Sequence, residues 1–132
     1  MQHRLFVYGT LQIPERVAEI TGRHLSGVPA QLDGYRCGRV VRADFPGIVP
    51  HATGRTFGQL LSGLGQDDLS LLDRYEGELY RRIRVGVTVA DFTSSAWVYV
   101  IVPWAYDRVS NEPWSVEWYV SRHPKTRWTY RT

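Results

Sequence analysis

The sequence predicts a single α+β domain whose short strands form a curled or barrel-like sheet of about six or seven strands. Three observations lead to this prediction. Short β-prone segments outnumber helical ones, and the helical segments do not alternate with strands as a doubly wound fold requires. Hydrophobic residues make up 43% of the chain and aromatic residues 13%, which is typical of a packed globular domain.

The first half of the chain opens with an apolar strand at residues 5–8, which Gly9 interrupts. Pro14 predicts the start of a short helix over residues 15–20. Glycines and a proline divide residues 24–41, so two strands are expected there. The segment FPGIVP, residues 45–50, has the composition of a turn.

A further strand is expected at residues 53–61. After it, acidic residues predict the start of a helix, with Asp67 as its N-cap residue. The helix is expected to run to Glu76, because Gly77 is a typical residue at a helix C-terminus.

The last third begins with a predicted hairpin. Residues 83–89 alternate between apolar and other residues, which is the pattern of a half-buried strand. A turn at residues 91–95 would lead to its partner, residues 96–102. Beyond it the pattern is weaker and predicts one or two helical turns at residues 114–120, followed by a loose tail over about residues 121–132.

Several kinds of site find no support in the sequence. The single cysteine, Cys37, excludes an internal disulfide and is expected to be a small buried thiol rather than a nucleophile. The four histidines lack metal-ligand spacing, so no metal site is expected. Gly9 lacks the neighbouring glycines of a dinucleotide-binding loop. We therefore expect no cofactor.

Charge and hydropathy give expectations about partners. The net charge is +3, carried almost entirely by scattered arginines, so a solvated surface is expected rather than nucleic-acid binding. No leader peptide and no apolar stretch of membrane-spanning length is recognised, which predicts a cytoplasmic protein without a membrane partner. The oligomeric state is left open.

The most informative segment is the predicted helix DDLSLLDRYE, residues 67–76. Glu76 follows Leu72 by four residues and therefore lies on the same face of the helix as the apolar side chains. A carboxylate on the apolar face breaks the pattern, and such breaks mark functional sites. The helix C-terminus, the nearby Asp73 and partial burial would all raise the pKa of Glu76.

A second interpretation of Glu76 is purely structural. One of the arginines that follow the helix would then form a salt bridge with it: Arg81, Arg82 or Arg84. The sequence alone does not separate this interpretation from an acid/base role.

Four segments together resemble the γ-glutamylcyclotransferase-like superfamily, in its AIG2-like and γ-glutamylamine cyclotransferase branch. They are LFVYGTL at 5–11, FPGIVP at 45–50, LLDRYEGELYRR at 71–82 and AWVYVI at 96–101. The resemblance implies a small mixed β-barrel flanked by a few helices. It also implies a cofactor-independent reaction, in which the α-amine of a γ-glutamyl compound attacks its own γ-carbonyl and releases 5-oxoproline and a free amine.

The resemblance also implies roles for individual residues. Glu76 would be the general acid/base, and the backbone N–H groups of Gly9, Thr10 and Leu11 would hold the α-carboxylate or the developing oxyanion. Tyr8, Tyr80 and Tyr119 are expected in the wall of the substrate site, and Arg82 is expected to support the fold.

Two alternatives to an enzyme remain at this point. The same fold could serve as a non-catalytic domain for small-molecule binding or interaction, and the Arg- and Trp-containing tail could contact RNA. The segment after Pro103 matches the family at no particular residue, so the leaving amine is not specified.

Overall fold

Five β-strands and three α-helices make up the computed structural model, which describes residues 2–123. The strands are β1 His3–Val7, β2 Gly27–Arg39, β3 Pro46–Leu64, β4 Tyr80–Val89 and β5 Phe92–Ile101. The helices are α1 Pro14–Thr21, α2 Gln66–Glu76 and α3 Val116–Arg122, and two 3-10 turns cover Thr10–Gln12 and Pro103–Arg108.

All five strands belong to one strongly curled, mixed sheet in the order β1-β3-β2-β4-β5. Neighbours in this order are antiparallel, and β2 meets β4 at Gln31 and Thr88. A short parallel pairing, in which Leu5 faces Trp97, joins β1 to β5 and closes the sheet on itself. The predicted α+β class with a curled, mixed sheet is confirmed.

The predicted number of strands is wrong, because β2 and β3 are longer than their sequences suggest. Gly34 has φ +89°, and it lies at a register shift between Asp33 and Tyr35 that leaves β2 continuous. FPGIVP is not a turn: the chain turns at residues 41–45, and β3 begins at Pro46. Proline is tolerated there because the first residue of a strand need not donate to the ladder.

Two other boundaries differ from the prediction. The β4–β5 turn consists of Ala90 and Asp91, with Ala90 at φ 52°, so β5 starts earlier than expected. The N-cap residue of α2 is Gly65 rather than Asp67, and the Asp68 carboxylate accepts a hydrogen bond from the Gly65 N–H at 2.8 Å. The expected end at Gly77, which has φ 80°, is confirmed.

Strand β1 is buried on both faces because it separates two parts of the core. Phe6 packs inside the curled sheet with Ile48 and Val98. Leu5 points the other way, into a cluster that includes Leu69 of α2 and that also takes in Val17 of α1. The helices α1 and α2 are thus held beside β1, whose C-terminal end leads directly into the Gly9 turn.

Helix α3 packs on the same side as the Gly9 turn, through contacts between Tyr119 and Ile13. Its N-cap is Ser115, whose hydroxyl oxygen accepts a hydrogen bond from the Trp118 N–H at 3.0 Å. The helical turns predicted at residues 114–120 are found, but the helix starts at Val116 and includes the first residues assigned to the tail. Residues 124–132 lie outside the described part. Within residues 2–123, no helix is long and apolar enough to cross a membrane.

Candidate active site

A cavity of about 440 Å³ lies where the end of β1, the end of α2, the β2–β3 turn and α3 meet. The seven residues singled out from the sequence share one property: every one of them lines this cavity. They are Tyr8, Gly9, Thr10, Leu11, Glu76, Tyr80 and Tyr119. Their proximity is a feature of the structure, while their individual roles stay predictions.

Glu76 is the last residue of α2, and its half-buried side chain reaches the cavity. Burial, and secondly the negative charge of Asp73, raise the pKa of Glu76 to about 8. The sequence predicts both causes. Among residues 2–123, the Glu76 carboxylate has no hydrogen-bond or ion-pair partner. It is therefore an acid whose proton is exchangeable near neutral pH.

Within residues 2–123, Glu76 forms no salt bridge with Arg81, Arg82 or Arg84, so the purely structural interpretation is not supported. Arg82 instead binds Asp73 through two hydrogen bonds of 2.8 and 3.1 Å. Its guanidinium also lies 4.4 Å from the centroid of the Trp97 ring. Arg82 thus fastens α2 to the β4–β5 hairpin, in agreement with the supporting role expected of it.

The turn after β1 forms part of the cavity wall. The first N–H groups of a helical turn have no partner inside that turn, and Gly9, Thr10 and Leu11 occupy those positions at the start of the 3-10 turn. The Gln12 side-chain amide donates to the Tyr8 carbonyl at 2.7 Å and fixes the turn. Gly9 has φ −113°, a value that other residues also adopt, so backbone conformation does not require a glycine here. Limited space favours one, because an added Cβ would lie 3.1 Å from Pro46.

Two tyrosine hydroxyls hold the cavity wall in place. The Tyr8 hydroxyl donates to the Tyr99 carbonyl at 2.7 Å, and the Tyr80 hydroxyl donates to the Pro46 carbonyl at 2.6 Å. Burial raises the pKa of both groups well above the ordinary value, so both stay neutral. Because each hydroxyl proton is engaged with a backbone carbonyl, neither hydroxyl is placed to donate a hydrogen bond to a ligand.

Sequence reasoning missed other polar groups of the cavity. Arg16 follows Ile13 by three residues and precedes Ile20 by four, which places it on the apolar face of α1. The same helical spacing that singles out Glu76 could therefore have identified Arg16. Asp44 and His123 also line the cavity and lie 2.9 Å apart, Oδ2 to Nε2. No local pattern connects two residues so distant in the chain.

Other chemistry receives no support from the described residues. Among residues 2–123, no three His, Cys, Asp or Glu side chains are placed to hold a metal ion. Burial raises the pKa of the Cys37 thiol to about 11, so it is protonated and unreactive at neutral pH.

Comparison with known proteins identifies relatives over most of the chain. A family model described as "Gamma-glutamyl cyclotransferase, AIG2-like" matches residues 5–119. Of the curated relatives, AIG2-like protein C of Arabidopsis thaliana is 39% identical over 66% of this chain and 51% of its own length. AIG2-like protein B of the same plant is 32% identical over 94% of this chain and 73% of its own length. The chain thus spans about half the length of some curated relatives that it matches.

Solved structures share the fold. An Arabidopsis thaliana protein determined in solution superposes with a TM-score of 0.78 at 31% identity, over 99% of this chain and 81% of that one. A structure named gamma-glutamyl cyclotransferase gives a TM-score of 0.67 at 16% identity, over 77% and 68% of the two chains. A mouse aig2-like protein gives 0.68 at 19% identity, over 86% and 85%.

Proposed function

Because the chain belongs to the gamma-glutamyl cyclotransferase, AIG2-like family, we propose that it cyclises the γ-glutamyl group of a small γ-glutamyl amine or peptide. The α-amine nitrogen forms a bond to the γ-carbonyl carbon, and the bond from that carbon to the leaving nitrogen breaks. The products are 5-oxoproline and a free amine. Because the nucleophile belongs to the substrate, the reaction needs no cofactor.

Glu76 would move the proton that this reaction requires. It takes a proton from the α-ammonium, which frees the attacking lone pair, and then gives a proton to the departing nitrogen. An α-amino group ordinarily has a pKa near 8. The Glu76 pKa of about 8 is therefore well matched for transfer in both directions.

The rest of the cavity would bind the substrate and stabilise the charge that develops during the reaction. Its volume suits an amino-acid-sized ligand with part of its leaving group. N–H groups at Gly9, Thr10 and Leu11 are available for negative charge on the reacting oxygen. The single observation that carries the proposal is the half-buried, unpartnered Glu76 carboxylate in the same cavity as this turn. A cytoplasmic location and the absence of nucleic-acid partners are parts of the proposal.

The decisive experiment measures 5-oxoproline release from a panel of γ-glutamyl amines and peptides by the wild-type protein and Glu76→Gln. We expect wild-type turnover and a loss of at least about 100-fold in kcat/KM for the variant, because a general acid/base contributes on that scale. The matched control is Glu78→Gln, which removes an exposed carboxylate two residues away and should retain wild-type activity.

The pH profile of the same reaction tests the role of Glu76 more specifically. Wild-type kcat/KM should rise with pH up to about 8, because the base must be deprotonated, and Glu76→Gln should lack that limb. Full activity of Glu76→Gln would refute the mechanism. If the wild-type protein binds γ-glutamyl compounds but converts none, the chain is a binding domain instead.

A further inference from the structure

The β2–β3 turn forms a part of the cavity wall that the proposed reaction does not use. The turn and the start of β3 contribute Asp44, Phe45 and Pro46 to the wall. In the proposed reaction, Glu76 and the Gly9 turn engage the γ-glutamyl group, and the cavity has room for part of the leaving group as well. The substituent on the departing nitrogen therefore needs a contact surface elsewhere in the wall.

Phe45 presents an apolar ring at the mouth of the cavity. It is 40% exposed, whereas Tyr8 and Tyr99 of the inner wall are buried. Its ring lies beside that of Tyr80, with 6.3 Å between the two centroids and a tilted arrangement. An exposed aromatic ring that lines a cavity gains free energy when an apolar ligand group covers it.

Hydrogen bonds on both sides of Phe45 hold the turn in place. The Phe45 carbonyl accepts a hydrogen bond from the Val40 N–H at 3.0 Å. The carbonyl of the preceding residue, Asp44, accepts one from Trp114 Nε1 at 2.7 Å. The ring is thus positioned before a ligand arrives, which lowers the entropic cost of binding.

The acidic and basic side chains of the cavity wall are already engaged. Among the residues 2–123 that line the cavity, these are Glu76, the proposed base, and three others. Asp44 Oδ2 lies 2.9 Å from His123 Nε2, and Arg16 Nε lies 3.5 Å from the Glu19 carboxylate. A charged group on the leaving amine would lose water at the mouth without gaining an unpaired partner of opposite charge in this part of the chain, which is costly.

We propose that Phe45, with Tyr80 beside it, packs against the substituent of the leaving amine and selects γ-glutamyl compounds of uncharged, apolar amines. This inference rests on the proposed function and deepens it by naming the class of amine that leaves. The contact surface formed by the two rings is called the amine site below. Phe45 is a specificity-determining residue here, and it takes no part in the proton transfers of Glu76.

The test uses four γ-glutamyl amides that differ only in the leaving amine: methylamine, n-pentylamine, 1,4-diaminobutane and 4-aminobutanoate. The last three have nearly the same length and end in a methyl, an ammonium and a carboxylate group. Release of 5-oxoproline gives kcat/KM for the wild-type protein, Phe45→Ala, Phe45→Leu and the control Phe57→Ala. Phe57 is a phenylalanine of β3 that is 68% exposed and does not line this cavity.

The wild-type protein should convert the pentylamide at least about 10-fold more efficiently than each of the other three amides, the scale on which an apolar contact discriminates. Phe45→Ala should reduce each ratio to less than about 3-fold. Phe45→Leu should keep most of the preference because it stays apolar, and Phe57→Ala should keep all of it. Each preference is a ratio within one protein, so it does not depend on the folded fraction of a destabilised variant.

A binding measurement separates the amine site from turnover. Calorimetry compares the dissociation constants of the pentylamide and the methylamide for Glu76→Gln and for Glu76→Gln combined with Phe45→Ala. The first protein should bind the pentylamide at least about 10-fold more tightly than the methylamide, and the second should not.

The outcomes distinguish this inference from the proposed function. Turnover without a preference for the pentylamide, or with a preference that survives in Phe45→Ala, overturns the amine site and leaves the cyclisation intact. A preference for the ammonium or carboxylate amide also overturns it. A Phe45-dependent preference in binding without any turnover by the wild-type protein refutes the cyclisation and supports the amine site. Absence of both binding and turnover overturns both.

Discussion

Glu76 illustrates how the position of one residue sets its chemistry. Its place at the end of α2 puts the carboxylate in the cavity that the Gly9 turn also lines, and burial there favours the protonated form. Asp73, one turn earlier, is engaged by Arg82 and the Tyr99 hydroxyl, and the pKa of Asp73 is lowered accordingly. Asp73 therefore stays ionised and adds to the rise in the pKa of Glu76.

This arrangement predicts a pH-dependent cost in stability. The pKa of Glu76 is about 8 in the folded protein and 4.5 as a free side chain, so between these values the folded state holds a proton that the unfolded state has released. The free energy of unfolding of the wild-type protein should therefore fall as pH rises from about 4.5 to 8. Glu76→Gln lacks this contribution.

Urea unfolding of both proteins at pH 4 and pH 9 measures the effect. The free energy of unfolding of Glu76→Gln minus that of the wild-type protein should be larger at pH 9 than at pH 4 by roughly 2–4 kcal/mol. This is less than the full pKa difference would give, because the Glu76 side chain is partly exposed. If the free energies of unfolding of the two proteins differ by the same amount at pH 4 and pH 9, Glu76 is not buried as described.

At the scale of elements, α2 is held by a narrow apolar stripe. Leu69 and Leu72 are completely buried against the sheet, whereas Leu71 is 37% exposed. All three are leucines of the same helix, and the packing shows which of them anchor it. Glu76 stands one turn after Leu72, so the anchor also fixes the candidate base.

Leu72→Ala should lower the free energy of unfolding by about 2–5 kcal/mol, because a cavity forms where a fully buried leucine was. It should also lower kcat for any γ-glutamyl donor, since the end of α2 loses its support. Leu71→Ala is the matched control and should cost less than about 1 kcal/mol. Urea unfolding and turnover assays measure both effects, and equal costs for the two variants would contradict this account of the helix.

At the scale of the whole molecule, closure of the sheet fixes the turn that carries the site. Strand β1 is paired with β3 on one side and β5 on the other, and its C-terminal end continues into the Gly9 turn. The pairing with β3 requires a close approach at Gly58, where an added Cβ would overlap the Val7 carbonyl oxygen. Only glycine leaves room for this contact.

Gly58→Ala should therefore destabilise the protein by about 2 kcal/mol or more, because backbone must move to relieve the overlap. The shift of β1 should also impair turnover. Gly65→Ala is the control, since an added Cβ there meets its nearest atom, an Asp68 oxygen, at 3.8 Å, and we expect a cost below about 1 kcal/mol. Thermal unfolding compares the variants, and an unchanged Tm for Gly58→Ala would contradict the predicted overlap.

The sequence by itself determined the features that depend on near neighbours in the chain. The buried strand before Gly9, the helix that ends at Gly77, the β4–β5 hairpin and the anomalous position of Glu76 all follow from local periodicity and turn chemistry. The quoted motifs also indicated the family. Strand lengths were not determined locally, because glycines such as Gly34 can be absorbed as a bulge when a partner strand continues alongside.

Only the tertiary structure decided which residues meet around the cavity. It paired Arg82 with Asp73 rather than with Glu76, and it brought Arg16 to the tyrosines of α2 and α3. These contacts join elements far apart in the chain, and their partners are selected by how the closed sheet and its helices pack. A local pattern can mark a carboxylate or a cation as misplaced, but the packing determines what each one faces.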